Sequence, residues 1–105
     1  MERIEKLKAF LLASPDDSFL KHALALEYVK LGDEAGARQL FEEILTLDPG
    51  YIGSYYHLGK LLERTGEQPL AIEWYEKGMA AAKAAGDRHA YGELQGAYEE
   101  ASGEW

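Results

Sequence analysis

The chain of 105 residues contains no cysteine, no asparagine and only three prolines. Without cysteine it can form neither disulfides nor thiolate metal sites, which is compatible with a reducing compartment. Its apolar runs stop well short of the roughly 20 residues that a membrane span needs. Glu2 and Glu5 occupy positions where a secretory signal would carry basic residues. These features are compatible with a cytoplasmic protein, and they lead us to expect no membrane partner.

Positive charge is also scarce, since the formal net charge is −8. Nucleic-acid binding requires a concentrated basic face, so this balance argues against DNA or RNA as a partner. The chain is 47% hydrophobic and 29% charged, which is ordinary globular composition. Its length suits one small domain with a modest core.

Several residues recur at one fixed spacing. Pro15 and Pro49 are 34 residues apart, and so are Gly32 and Gly66. The same offset relates three further pairs: Leu24 and Leu58, Ala37 and Ala71, Phe41 and Tyr75. A period of this length is typical of a stacked repeat array.

Each copy has the local pattern of a helix, a turn and a second helix, with apolar residues at spacings of three and four. The turn glycines suit helix ends, and the aspartates near them suit helix starts. We predict one domain over 1–105: an N-terminal helix at 1–14, a first repeat at 18–49, a second at 52–83 and a capping helix at 87–101. No strand pattern occurs.

The two copies resemble the tetratricopeptide repeat. The residues that carry the resemblance are Leu24, Ala25, Tyr28, Gly32, Ala37, Phe41 and Pro49 in the first copy, and Tyr55, Leu58, Gly59, Gly66, Ala71 and Tyr75 in the second. The resemblance implies an all-α, right-handed superhelix of antiparallel helix pairs, here with six helices. It also implies a small bacterial protein without catalytic activity or cofactor.

The sequence departs from the family pattern at a few places. Lys21 stands where a bulky aromatic residue is usual, Leu62 where tyrosine is usual, and Gly78 where alanine is common. The second copy lacks the closing proline, and residues 79–85 prolong its helix to Gly86. Small residues such as Ala37 and Ala71 should lie buried where helices approach closely.

No constellation of residues predicts catalysis or metal binding. The histidines at 22, 57 and 89 form no i, i+4 pair with a second metal-ligating histidine. Adjacent acids such as Glu42 and Glu43 point about 100° apart on a helix, so they suit a solvated face better than acid–base work. Packing explains Trp74 more simply than ligand binding.

The first helices of the copies, 18–31 and 52–65, sum to a charge of +2, while the other residues sum to −10. In tetratricopeptide repeats those helices line a concave groove that binds a peptide or helix of a partner. Carried over by position, the partner-binding residues are Phe19, His22, Leu26, Lys30, Tyr56, His57, Lys60 and Arg64. Apolar anchors beside cations suit a segment with hydrophobic side chains and a carboxylate.

Two other interpretations of these residues stay open. The four cations on the two helices can equally be ordinary surface residues that lie there by chance and bind no partner. Alternatively, an open repeat end can stack on another copy, which would make the chain a self-assembly module and a homo-oligomer. The chaperone-type carboxylate clamp is not expected, because it depends on groove asparagines and the chain has none.

Overall fold

The computed structural model describes residues 2–103 of the chain, which form helices and no strands. Met1, Glu104 and Trp105, which the predicted domain includes, lie outside the described residues. The helices are α1 (Glu2–Ala13), α2 (Ser18–Leu31), α3 (Glu34–Leu47), α4 (Gly53–Arg64), α5 (Gln68–Ala85) and α6 (Arg88–Ser102). The prediction of an all-α fold with six helices is therefore confirmed for the described residues.

Helix boundaries follow from short polar signals in the sequence. Asp17, Asp33 and Asp87 each accept a hydrogen bond from a first-turn amide, at 3.0, 2.9 and 3.0 Å. Such caps satisfy amides that have no partner inside the helix. Gly32 and Gly66 take left-handed φ values of 82° and 84°, which end the first helix of each repeat where the sequence predicted.

The chain divides into two compact units, one up to Asp48 with α1–α3 and one from Pro49 with α4–α6. In the first unit, α2 packs against both α1 and α3. Ile4, Leu7 and Leu24 lie in one apolar cluster, with Leu11 and Leu20 packed against it. The N-terminal helix is therefore part of this core, as its amphipathic pattern predicted.

Lys21 is buried in the first unit, with only 8% of its surface exposed. Its ammonium lies 3.6 Å from a carboxylate oxygen of Glu43 on α3. The lysine that replaces the usual aromatic residue thus packs between helices and is neutralised there. It does not belong with the cations that a partner could reach, although the sequence-based charge count included it.

In the second unit, α5 packs against both α4 and α6, and α6 also contacts α4. Tyr75 and Ala71 on α5 are fully buried. Two glycines let the backbones approach: a Cβ atom on Gly59 would lie 2.2 Å from the Tyr75 ring, and one on Gly78 would lie 2.6 Å from the Tyr55 Cβ. Close approach therefore explains glycine at 78, where the sequence pattern led us to expect alanine.

The predicted burial of the small residues is confirmed, since Ala37 and Ala71 are both fully inaccessible to solvent. Helix α6 continues through Gly92 and Gly96, and its buried side carries Leu94, Ala97 and Ala101. Its packing on α4 and α5 is what a capping helix requires. Within residues 2–103, no helix combines the length and the apolar character needed to cross a bilayer.

Candidate functional site

Helix α4 separates buried from accessible side chains along its length. Tyr55, Leu58, Leu61 and Leu62 are buried and at most 4% exposed. The predicted partner-binding residues of this helix lie outside that buried set: Tyr56, His57 and Lys60 are half-buried and Arg64 is exposed. We call these four residues the α4 face. Four-residue steps from Tyr56 to Lys60 to Arg64 place the three side chains in one row.

One end of the α4 face opens into a cleft between α4 and α6, with a volume of about 410 Å³. We call it the α4–α6 cleft. Tyr56 and His57 line it from α4, and their rings meet edge to face with centroids 5.8 Å apart. The other lining residues are Ile52, Gly53, Asp87, Ala90, Glu93 and Leu94. The cleft thus combines aromatic and apolar surface with two carboxylates.

His57 is held toward its neutral form. Burial lowers the pKa of His57, the positive charge of Arg64 lowers it further, and the carboxylate of Glu93 acts in the opposite direction. Because burial disfavours the charged imidazolium, His57 contributes an uncharged ring to the cleft near neutral pH. The cations of the α4 face are therefore Lys60 and Arg64.

Lys60 is positioned by two neighbours. Its ammonium lies 5.7 Å from the centre of the Tyr56 ring and 3.8 Å from a carboxylate oxygen of Glu63. Glu63 also accepts a hydrogen bond from the hydroxyl of Tyr75. Burial and this hydrogen bond raise the pKa of Tyr75, so the hydroxyl keeps its proton. Lys60 is thus held over an aromatic ring with its charge partly compensated.

The four predicted residues of the first unit lie along α2 in different environments. Phe19 is 67% exposed and Leu26 is half-buried. His22 is half-buried, with its ring 5.6 Å from that of the buried Phe41, so it packs within the unit. The ammonium of Lys30 lies 3.3 Å from a carboxylate oxygen of Glu27 on the same helix, just as Lys60 is paired with Glu63 on α4.

Glu27 also pairs with Arg3 of α1, at 3.1 Å. Partial desolvation raises the pKa of Glu27, but the hydrogen bonds and charges of Lys30 and Arg3 outweigh it and lower that pKa. Within the first unit, the carboxylate therefore stays ionised and compensates the charge of Lys30. The two units thus share one arrangement, in which a lysine of the predicted groove pairs with a glutamate of its own helix.

The α6 side of the cleft was missed by reasoning from the sequence, which gave α6 only a capping role. A signal for it was present. With two inserted residues, α6 aligns with the first half of a third repeat, and Glu93 then takes the position of His57. That register would have placed Glu93 beside the predicted binding residues.

The described residues offer no ready site for a metal. Nowhere in 2–103 do three histidines, aspartates or glutamates come together in a way that could hold an ion. His57 and Glu93 are near each other in the cleft, but no third ligand joins them. His89 lies 3.5 Å from Glu93 on the exposed side of α6. The chemistry of this site is therefore that of apolar, aromatic and charged contacts.

Comparison with known families decides the identity of the repeats. Residues 20–51 and 52–84 each match the tetratricopeptide repeat. The chain belongs to the tetratricopeptide repeat family. The resemblance found in the sequence is thereby confirmed, and with it the fold class. Tetratricopeptide repeat proteins serve generally as protein–protein interaction modules and are typically non-catalytic scaffolds.

Bacterial proteins of similar size share both sequence and fold. A tetratricopeptide repeat domain protein from Salinibacter ruber is 42% identical, with a TM-score of 0.80 over 83% of this chain and 98% of that one. A protein from Bordetella parapertussis is 30% identical, with a TM-score of 0.81 over 96% and 88% of the two chains. A TPR repeat-containing protein of Pseudomonas aeruginosa is 30% identical over 87% of each chain.

The fold likeness extends beyond bacteria. The TPR2B domain of yeast Sti1 gives a TM-score of 0.88 over 97% of this chain and 82% of that one, at 16% identity. At that identity the likeness concerns the fold alone.

Proposed function

We propose that this chain is a non-catalytic, cytoplasmic protein-interaction module that binds a segment of a partner protein along the α4 face. The observation that carries the proposal is the row formed by Tyr56, Lys60 and Arg64 next to the α4–α6 cleft. The partner segment would carry an apolar side chain and a carboxylate. The carboxylate would come from Asp, Glu or a free C-terminus.

The chemistry of the row supports this choice of partner. Lys60 and Arg64 lie one helical turn apart, so a single carboxylate or two adjacent ones can contact both side chains. Charge-assisted hydrogen bonds to carboxylates are stronger than neutral ones. Because the whole chain carries a net charge of −8, acidic segments would find few other cationic surfaces on it. The α4 face would therefore select both the charge and the position of the segment.

The cleft supports an apolar anchor beside that charge. Its volume of about 410 Å³ lies in the range of roughly 300–1,000 Å³ that is typical of ligand pockets. Tyr56 lies in both the row and the cleft, so an apolar side chain in the cleft would sit directly beside the cations. Aromatic side chains of this kind often dominate the energy of protein interfaces.

A distant structural neighbour illustrates the class of function. The TPR2B domain of yeast Sti1 is found in a complex with pHsp70. Because this chain lacks asparagine and shares only 16% identity with that domain, the likeness supports peptide binding in general and not that partner. We propose Phe19, His22, Leu26 and Lys30 as the corresponding contact residues of the first unit, taken by itself.

The test uses peptides selected on the protein itself. Random peptides displayed on phage are selected on the immobilised chain, and the affinity of enriched peptides is measured by calorimetry. We expect acidic and apolar residues to be enriched. Lys60→Glu with Arg64→Glu should weaken these peptides at least tenfold, about 1.4 kcal/mol, and added salt should weaken binding to the wild type.

Two exposed lysines of α1 provide the matched control. Lys6→Glu with Lys8→Glu changes the net charge equally, and the neighbours of these two lysines, Glu2 and Tyr28, are not proposed contact residues, so it should leave the affinity within twofold. If the α4 double variant binds the selected peptides as tightly as the wild type does, the site lies elsewhere. Circular dichroism should show that both variants keep their helices, because three of the four side chains are exposed and Lys60 is only half-buried.

A second candidate function is favoured by the exposed apolar residues of the first unit. Phe10, Leu12 and Phe19 are 60%, 87% and 67% exposed. Exposed apolar side chains that lie close together are typical of protein contact surfaces. These three residues therefore support the alternative that the chain assembles with copies of itself. Sedimentation at tens of micromolar separates the two candidates. A monomer would oppose self-assembly, and a homo-oligomer lost on Leu12→Glu would support it.

A further inference from the structure

A second cavity lies at the turn between α5 and α6; it shares Asp87 with the α4–α6 cleft and contains no residue of the α4 face. Its volume is about 340 Å³, and we call it the α5–α6 cavity. Its lining residues are Ala82, Lys83, Gly86, Asp87, Arg88 and Tyr91. The volume falls in the range of roughly 300–1,000 Å³ that is typical of small-ligand sites.

This cavity depends on a feature that is particular to the second repeat. Helix α5 has 18 residues, whereas its counterpart α3 has 14. In the 34-residue register α3 ends at the equivalent of residue 81, so residues 82–85 form an added turn. Ala82 and Lys83 belong to that turn, whereas their equivalents in the first repeat, Asp48 and Pro49, lie beyond the end of α3.

The lining residues divide into an apolar part and a cationic part. Ala82 is fully buried and the ring of Tyr91 is half-buried, which gives the cavity an apolar and aromatic wall. Lys83 and Arg88 are exposed. Neither has an ion-pair partner anywhere in residues 2–103, in contrast to Lys21, Lys30 and Lys60.

The one acid of the lining does not cancel this charge. Asp87 uses a carboxylate oxygen to accept the amide hydrogen of Ala90, at 3.0 Å, and so caps α6. Two cations against one acid leave the cavity net positive on a chain with a net charge of −8. The negative end of the α5 dipole and the positive end of the α6 dipole both lie at the cavity, so its positive charge comes from the side chains of Lys83 and Arg88.

We propose that the α5–α6 cavity binds an aromatic carboxylate, with its ring against Ala82 and Tyr91 and its carboxylate between Lys83 and Arg88. An apolar wall with two unpaired cations is complementary to a molecule that joins an apolar ring to a negative charge. The same chemistry is offered by a small aromatic acid and by the C-terminal phenylalanine of a peptide. This site is independent of the α4 face, and either can fail without the other.

The test is a titration of the 15N-labelled full chain, followed by the amide NMR shifts of Ala82, Gly86 and Tyr91. The probes are phenylacetate, its uncharged amide phenylacetamide, acetate, and the tripeptide Ala-Ala-Phe. We expect saturable shifts at these amides with phenylacetate. Phenylacetamide and acetate should each bind at least tenfold more weakly, because one lacks the charge and the other the ring.

Charge variants make the test specific. Lys83→Gln with Arg88→Gln should weaken phenylacetate at least tenfold, and Lys6→Gln with Lys8→Gln, which removes equal charge from the first unit, should not. All four side chains are exposed, so the fold should survive. If phenylacetate binds and Ala-Ala-Phe does not, the natural ligand is a small aromatic acid. If both bind, the cavity also accepts the C-terminus of a peptide. Equal affinity for phenylacetamide, or shifts confined to other residues, would overturn the proposal.

Discussion

The close approach of α4 and α5 at Gly59 can be tested by adding a single methyl group. In Gly59→Ala the new Cβ atom would lie 2.2 Å from one ring carbon of Tyr75, and 2.6 and 2.7 Å from two others. The ring cannot move aside easily, because Tyr75 is fully buried and its hydroxyl is bound to Glu63. Overpacking of this kind costs about 1–3 kcal/mol, against a gain of roughly 1 kcal/mol from replacing a helical glycine.

Two other helical glycines provide the control. Gly92 and Gly96 lie in α6, and a Cβ atom at either would meet nothing within 4 Å. Alanine there should stabilise the protein by about 1 kcal/mol, while Gly59→Ala should bring no such gain and should destabilise it by up to about 2 kcal/mol. The melting temperature should change by roughly 4–8 °C per kcal/mol in a chain of this size. Thermal and urea unfolding followed by circular dichroism measures both changes.

A companion variant tells whether the Tyr75 ring is the cause. In a Tyr75→Leu background, Gly59→Ala should cost less than it does in the wild type, since the smaller side chain leaves room for the methyl group. The coupling between the two changes should exceed about 0.5 kcal/mol, as expected for residues in contact. If Gly59→Ala stabilises the protein as much as Gly96→Ala does, the helices are further apart than described and the reasoning is wrong.

Three further predictions concern other parts of the fold. Ala71→Leu should lower the free energy of unfolding by about 1–3 kcal/mol, because Ala71 is fully buried; an unchanged midpoint in urea would count against that packing. Deletion of residues 88–105 should expose the α5 surface and increase binding of a hydrophobic dye, and a stable monomer that binds no dye would contradict the capping role of α6. The pKa of His57 is 6.5 in the unfolded chain and lower in the folded protein. As the pH falls through 6.5, the unfolded chain should therefore bind a proton that the folded protein does not. The free energy of unfolding should therefore fall as pH falls in that window, and the decline should be shallower in His57→Gln; an equally steep decline in that variant would contradict the reasoning.

Most of the fold could be predicted because its signals are local and repeated. The 34-residue period, the turn glycines and the capping aspartates each act over a few residues, so the bounds 18–31 predicted for α2 match the structure. The exact fit between helices could not be predicted in the same way. Gly78 was noted only as a departure, because the need for glycine comes from Tyr55 and Leu94, on other helices.

The candidate site shows the same limit. Position in the repeat placed Tyr56, Lys60 and Arg64 on one helix face, and the structure agrees for that helix. The partial compensation of Lys60 by Glu63 depends on side-chain geometry, which spacing alone does not determine. Lys21 is a clearer case, because its charge suggested the surface while its actual position is buried beside Glu43.

Gly78 of the second repeat takes the position that Ile44 occupies in the first, and this difference affects how the protein could be redesigned. In the 34-residue register, Lys21 and Ile44 of the first repeat correspond to Tyr55 and Gly78 of the second. Ile44 is 1% exposed, so the first repeat fills a position that the second leaves empty for the Tyr55 side chain. Consensus substitutions often stabilise proteins, but the usual alanine at 78 would press on Tyr55 here. Tyr55 and Gly78 therefore form a matched pair, and a second helix transplanted from the first repeat, which carries Ile44 at this position, would clash with Tyr55.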